Sequence, residues 1–143
     1  MPNHSMPSPA DLIQKLLNSK RIAVVGLSDD PSRASYDVAD YLRRHGYQII
    51  PVNPNCKAVF GLPCAASLAD VPGPIDLVNV FRRSEHCEDI VRDAIAVGAK
   101  AVWLQLGIRN DRAAQLARHA GLDFVQDRCI KIDHMRATPQ PSP

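Results

Sequence analysis

The stretch RIAVVGLSDDPSRASYDVADYL, residues 21–42, decides the fold. Behind Arg21, the run Ile22-Ala23-Val24-Val25 is continuously apolar and stops at Gly26, as expected of a strand buried on both faces and ended by a turn. A polar loop follows, and then a helix expected from about Tyr36 to His45. Ser35 is its candidate cap, Val38, Ala39 and Leu42 share one face, and Gly46 is the stop. Strand, glycine turn and helix N-terminus in that order open an α/β fold. The same residues have the parts of an anion site: the Gly26 turn, the Ser28 and Ser35 hydroxyls, the Arg33 cation and the positive end of a helix dipole.

Outward from this unit the alternation continues. Strands are expected over 48–52, 75–81, 101–106 and 123–126. Helices are expected over 84–97, with Ser84 as cap and Gly98 as stop, and over 110–120, with Ala113, Leu116, Ala117 and Ala120 inward. An upstream helix is signalled by Ser8 as cap, Pro9 at the first position, and Leu12, Ile13, Leu16 and Leu17 at helical spacing. Alternating β and α units imply a Rossmann-like, doubly wound, mainly parallel sheet of about five strands with helices on both faces. Residues 53–74 break the rhythm. They carry no amphipathic helix, so they are either a functional irregular loop or a short strand or turn crossing the sheet edge.

With 143 residues, 45% of them hydrophobic, the chain can bury one core without disulfides or metals. A single domain is expected over 11–136, with flexible tails at 1–10 and 137–143 rich in Pro and Ser. A formal charge of +2 with no basic stripe argues against nucleic acid as partner. No apolar run is of membrane length, and the first ten residues lack the basic and apolar regions of an export signal, so a cytoplasmic location is expected. Cys56, Cys64, Cys87 and Cys129 are scattered without a CxxC pair, and the five histidines lack ligand spacing. Reduced thiols and no metal site are the expectation.

In open parallel sheets ligands bind beyond the strand ends where strand order reverses, here at Gly26. Gly-Leu-Ser lacks the later glycines of a dinucleotide fingerprint, and Pro51-Val52-Asn53-Pro54 lacks the acid that would hold a ribose diol. NAD is disfavoured on both counts, and no Walker lysine follows the loop.

Four motifs in unbroken order, VVGLSDDPSRASYDVADYLRRHGYQIIPVNP, VFRRSEH, GAKAVWLQLGI and DRCIKIDH, closely resemble the bacterial CoA-binding protein family. That family is related to the N-terminal domain of the succinyl-CoA synthetase α subunit. The resemblance implies coenzyme A as ligand. It assigns the phosphates to Gly26, Leu27, Ser28, Pro31, Arg33 and Ser35, and the adenosine wall to Pro51, Val52, Asn53 and Pro54. Phe81 and Arg82 end the next strand, the ring placed for stacking or for the core and the guanidinium for a bidentate phosphate contact. Gln105, Gly107 and Ile108 would meet the pantetheine arm or a phosphate, whereas Trp103 reads as core.

Cys129 has two readings. Arg128 and Lys131 beside it could stabilise a thiolate able to form a mixed disulfide with CoA, yet cysteine is also a common buried residue. No catalytic set can be assembled from the spacing. The function expected is therefore a CoA or acyl-CoA binding protein, non-catalytic on its own, acting as sensor, carrier or partner module. The alternatives are a thiol/disulfide exchange enzyme using Cys129 and an NADP-linked oxidoreductase. A protein partner or a homo-oligomer is left open. A ligase of the related kind would need a second domain and a nucleotide-binding partner.

Overall fold

A computed structural model describes residues 8–137. Ser8 accepts the Asp11 N–H on its Oγ at 3.2 Å and caps helix α1 (Pro9–Leu17), whose first position is proline. The chain continues through β1 (Arg21–Val25), α2 (Ala34–Arg44) and β2 (Gln48–Val52). A hairpin of β3 (Ala58–Val59) and β4 (Leu62–Pro63) follows, then β5 (Leu77–Val80), α3 (Cys87–Ala96), β6 (Ala101–Leu104), α4 (Asp111–His119), β7 (Asp123–Val125) and α5 (Ile130–Ala137). Pro9 and Ala10 are thus helical and Ala137 ends α5. The remaining residues expected to be tails lie outside the described range.

The main sheet has five strands in the order β2-β1-β5-β6-β7, every pair parallel. Val25 at the end of β1 stands in register with Val52 on one side and Val80 on the other. Because the chain winds one way from β1 to β2 and the other way from β5 onward, the strand order reverses between β1 and β5. That reversal opens a crevice at their C-terminal ends. The pleat sends Ala23 and Val78 into one apolar layer with Val91 and Ala94 of α3 and Ala113 and Ala117 of α4. Ile22, Val24, Leu77 and Trp103 enter the other, with Leu16, Val38, Leu42 and Ile130 of α1, α2 and α5. Trp103 is wholly buried, as expected.

Several local expectations are corrected. Helix α2 begins at Ala34, so Ser35 lies inside the first turn and is not its cap; Arg33 occupies that position without a side-chain cap bond. Ser84 does not cap α3 either. It opens a short 3₁₀ turn, Ser84–His86, and its Oγ accepts the Arg109 N–H at 3.0 Å. Residues 53–74 form the β3–β4 hairpin and a 3₁₀ turn, Leu68–Asp70, the segment returning along β2 through a Val52–Ala65 bridge. Of the two alternatives for that segment, the crossing strand is the one present. Helix α5 falls on residues to which the sequence assigned no element; packing against α1 and α2 decides it. Among the described residues no helix is long and apolar enough to cross a membrane.

Candidate functional site

Gly26 sets the geometry of the crevice. Its φ of +86° belongs to the left-handed region, and a Cβ there would lie 2.7 Å from the Phe81 carbonyl oxygen and 3.1 Å from Cδ of Arg82. Only glycine lets the two loops leave the sheet this close together. Its N–H donates to the Val52 carbonyl, while the Phe81 N–H donates to that of Val25, both at 2.9 Å, so the ladder extends past the strand ends on either side.

The loop after Gly26 spends most of its polar groups on itself. The Ser28 N–H donates to Ser35 Oγ and the Asp30 N–H to Ser28 Oγ, both at 3.0 Å. Asp30 Oδ1 accepts the N–H and hydroxyl of Ser32 at 2.9 and 2.8 Å. These Ser32 bonds, with the Arg33 charge adding to them, hold the Asp30 carboxyl below the usual carboxylate range. Asn53 joins the loop to the end of β2 by donating from Nδ2 to the Leu27 carbonyl at 2.9 Å. The Leu27, Ser35, Pro51 and Val52 side chains are buried, whereas Pro31 and Arg33 are exposed.

The main cavity, about 770 Å³, opens beyond this loop toward α5. Ala34, Asp37 and Val38 of α2 form one wall, Phe81 to Ser84 a second, Gln105 to Ile108 a third, and Cys129, Lys131 and Ile132 the fourth. A smaller cavity of about 240 Å³ contains Gly26, Val52 and Pro54 together with His86, Asp89 and Asp93. Arg82 lines both. It is half-buried, and its guanidinium makes no hydrogen bond or ion pair with another described residue. A guanidinium placed this way has the donors to receive an anion.

Of the residues expected to touch ligand, the structure brings Gly26, Val52, Pro54, Phe81, Arg82, Gln105, Gly107, Ile108 and Cys129 to the two cavities. Leu27, Ser28, Pro31, Arg33, Ser35, Pro51 and Asn53 line neither of them. The Gly107 N–H already donates to Asp127 Oδ1 at 2.7 Å. Phe81 lines the cavity and also packs on the core.

Sequence reasoning missed Asp37 and Ile132, and took Lys131 only as a neighbour of Cys129. The ion pair between Lys131 Nζ and Asp37 Oδ2, at 3.0 Å, ties α5 to α2 across the cavity rim. Recognising α5 as a helix would have exposed them. It missed Asn79 too, a fully buried amide in the otherwise apolar β5. Its Nδ2 donates to Gln105 Oε1 and to the Trp103 carbonyl, both at 3.4 Å, while its Oδ1 has no partner among the described residues. The signal was there: a single asparagine inside Leu77-Val78-Asn79-Val80.

The surroundings of Cys129 also differ from expectation. Arg128 is engaged by Asp133 through two bonds of 2.7 and 2.8 Å, which raise its pKa, and Lys131 by Asp37. Neither neighbour is an uncommitted cation for the thiol. The half-buried Cys129 nevertheless borders the main cavity.

The CoA binding domain family model matches residues 20–135. The chain belongs to this family. Uncharacterized protein YneT of Bacillus subtilis (strain 168) is 43% identical over 128 residues, covering 90% of this chain and 95% of that protein. The solved structure of cell-free ID.343 from Thermus thermophilus superposes with a TM-score of 0.84 at 37% identity, covering 89% of this chain and 97% of that one. The ADP-forming acetate–CoA ligase II subunit alpha of Pyrococcus furiosus is 23% identical over 137 residues, 88% of this chain but 30% of the subunit. The chain therefore spans less than a third of that ligase subunit. The family and its ligase kinship agree with the motif reading, and the Thermus structure shares the doubly wound fold.

Proposed function

We propose that this chain binds coenzyme A or an acyl-CoA as a module that is not catalytic on its own, a sensor, a carrier or the partner of another protein. The observation that carries this reading is Arg82, a half-buried guanidinium that has no partner among the described residues, at the strand-order reversal and shared by both cavities. Its charge suits a pyrophosphate, with Arg83 and the uncapped N-terminus of α2 adding to the field. Phe81, Leu106 and Ile132 offer an apolar track for pantetheine from there toward Cys129. Val52 and Pro54 supply a wall for adenosine. The carboxylates of Asp89 and Asp93 in that smaller cavity would accept ribose hydroxyls and repel a phosphate, so the 3′-phosphate is turned toward the Arg82 side. Any ligase chemistry would fall to a further domain or chain, as the greater length of the ligase relative suggests.

Calorimetric titration with CoA, dephospho-CoA and NADP tests this. CoA is expected to bind, dephospho-CoA more weakly, and NADP not at all; binding of NADP without CoA would put the oxidoreductase reading in its place. A second reading is favoured by the position of Cys129 on the main cavity. There its thiolate would attack CoA disulfide, forming a Cys129–CoA disulfide and releasing one CoA thiolate. An adduct mass that disappears in Cys129→Ser would support exchange, and an unmodified wild-type protein would remove it.

A further inference from the structure

Cys56 and Cys64 stand eight residues apart without a recognisable motif, and the sequence places no relation between them. The hairpin supplies one. β3 and β4 pair antiparallel with Ala58 opposite Pro63 and Val59 opposite Leu62, and the Cys64 N–H extends the ladder to the Lys57 carbonyl at 2.9 Å. Phe60 and Gly61 make the turn, both at positive φ. On the incoming side Cys56 Sγ donates to the Ala58 carbonyl at 3.4 Å, and the Cys64 thiol neighbours that of Cys56. Both side chains are half-buried against the same apolar layer, beside Phe60, so they are reachable yet poor in water. Burial, followed by the contact with Cys56, pushes the Cys64 thiol up to about 12, so Cys64 keeps its proton near neutrality.

We propose that Cys56 and Cys64 form a dithiol that a peroxide closes into a disulfide. The Cys56 thiolate attacks one peroxide oxygen; an S–O bond forms, the O–O bond breaks and hydroxide leaves. The Cys64 sulfur then attacks the resulting sulfenic sulfur. The S–S bond forms, the S–O bond breaks, and the Cys64 proton leaves with the departing oxygen as water. Two thiols lose two electrons in all and the peroxide is reduced to water. The cross-link closes a short loop next to the segment that Asn53 ties to Leu27, beside the Gly26 turn. Neither thiol lines either cavity, so the proposal does not depend on the CoA reading.

Trypsin makes the test direct, because it cuts after Lys57 and leaves the four cysteines on four separate peptides. The whole chain, reduced and then exposed to limiting hydrogen peroxide, is expected to yield peptide 45–57 disulfide-linked to peptide 58–82, and a reductant should separate them. Cys64→Ser should instead leave a sulfenic acid on Cys56 that dimedone labels. The proposal is overturned if wild-type Cys56 proceeds to sulfinic acid without a link, if the links formed run to the Cys129 peptide, or if neither thiol reacts. The wild-type mapping stands even if a variant fails to fold.

Discussion

The loop from Gly26 to Ser35 and the opposite side of the crevice, from Arg82 across to α5, use their polar groups differently. Ser28, Asp30, Ser32 and Ser35 bond one another, so the loop's polar groups are largely committed. Across the crevice Arg82 has no partner among the described residues and the cavity wall is largely apolar. A loop rich in hydroxyls can use them to hold its own backbone still, and rigidity at a binding site has value because less ordering remains to be done when the ligand arrives.

Gly26→Ala breaks both sides at once and has the largest expected effect. The left-handed backbone and the clash with the Phe81 carbonyl together should cost about 3 kcal/mol in urea unfolding, and any folded fraction should have lost its ligand affinity. A cost below about 1 kcal/mol would mean that the two loops separate easily. Arg82→Ala comes next. It should weaken CoA binding by about 10- to 100-fold in calorimetry, with little change in unfolding, because a charge-assisted contact is lost and no internal bond is broken. Arg33→Ala, on an exposed side chain outside both cavities, should cost less than about 3-fold. If Arg33 proved the costlier of the two, the loop would be the phosphate site after all.

What was legible in the sequence follows the same division. The sheet could be read because Ile22 to Val25, Leu77 to Val80 and Ala101 to Leu104 are dense apolar runs bounded by turns, and burial on both faces demands that pattern. Gly26 and Arg82 were legible as strand-end residues. The partners of Ser35 and Ser84 were not, since a hydroxyl near a helix start looks like a cap whether it bonds its own helix or a distant N–H such as that of Arg109. Nor was α5, whose helical state depends on contacts with α1 and α2 rather than on its own periodicity. The nearness of Cys56 and Cys64 depends on a hairpin whose strands are only two residues each, too short to leave a periodic trace.

Ser35→Ala probes the loop alone. The alanine leaves the Ser28 N–H without its acceptor in a partly buried position, which should lower stability by about 1 kcal/mol. CoA affinity should fall by no more than about 3-fold if the hydroxyl serves the loop rather than the ligand, whereas a loss as large as that of Arg82→Ala would show the hydroxyl reaching the phosphate.

Acid should separate the two sides with the smallest effect of all. His134 on α5 bonds the Tyr41 hydroxyl through Nδ1 at 2.6 Å and packs near His45 and Tyr47, while Lys131 sits over the Tyr41 ring. Burial, with the neighbouring His45 charge adding to it, holds its pKa below the ordinary 6.5. A histidine that resists protonation when folded takes up the proton more readily when unfolded. Its contribution is therefore complete above 6.5, declines as pH falls below that value, and is spent once pH has passed the lowered folded pKa. Asp30 in the first loop is depressed from 3.8 and keeps its bonds to lower pH. Hydrogen exchange at about pH 7.5 and about pH 5.5 should show α5 losing protection while residues 28–35 hold theirs, the latter pH lying between the histidine and carboxylate ranges. Equal loss on both sides would mean that α5 and the loop open as one unit, and that the Tyr41–His134 contact does not set the stability of the α5 wall.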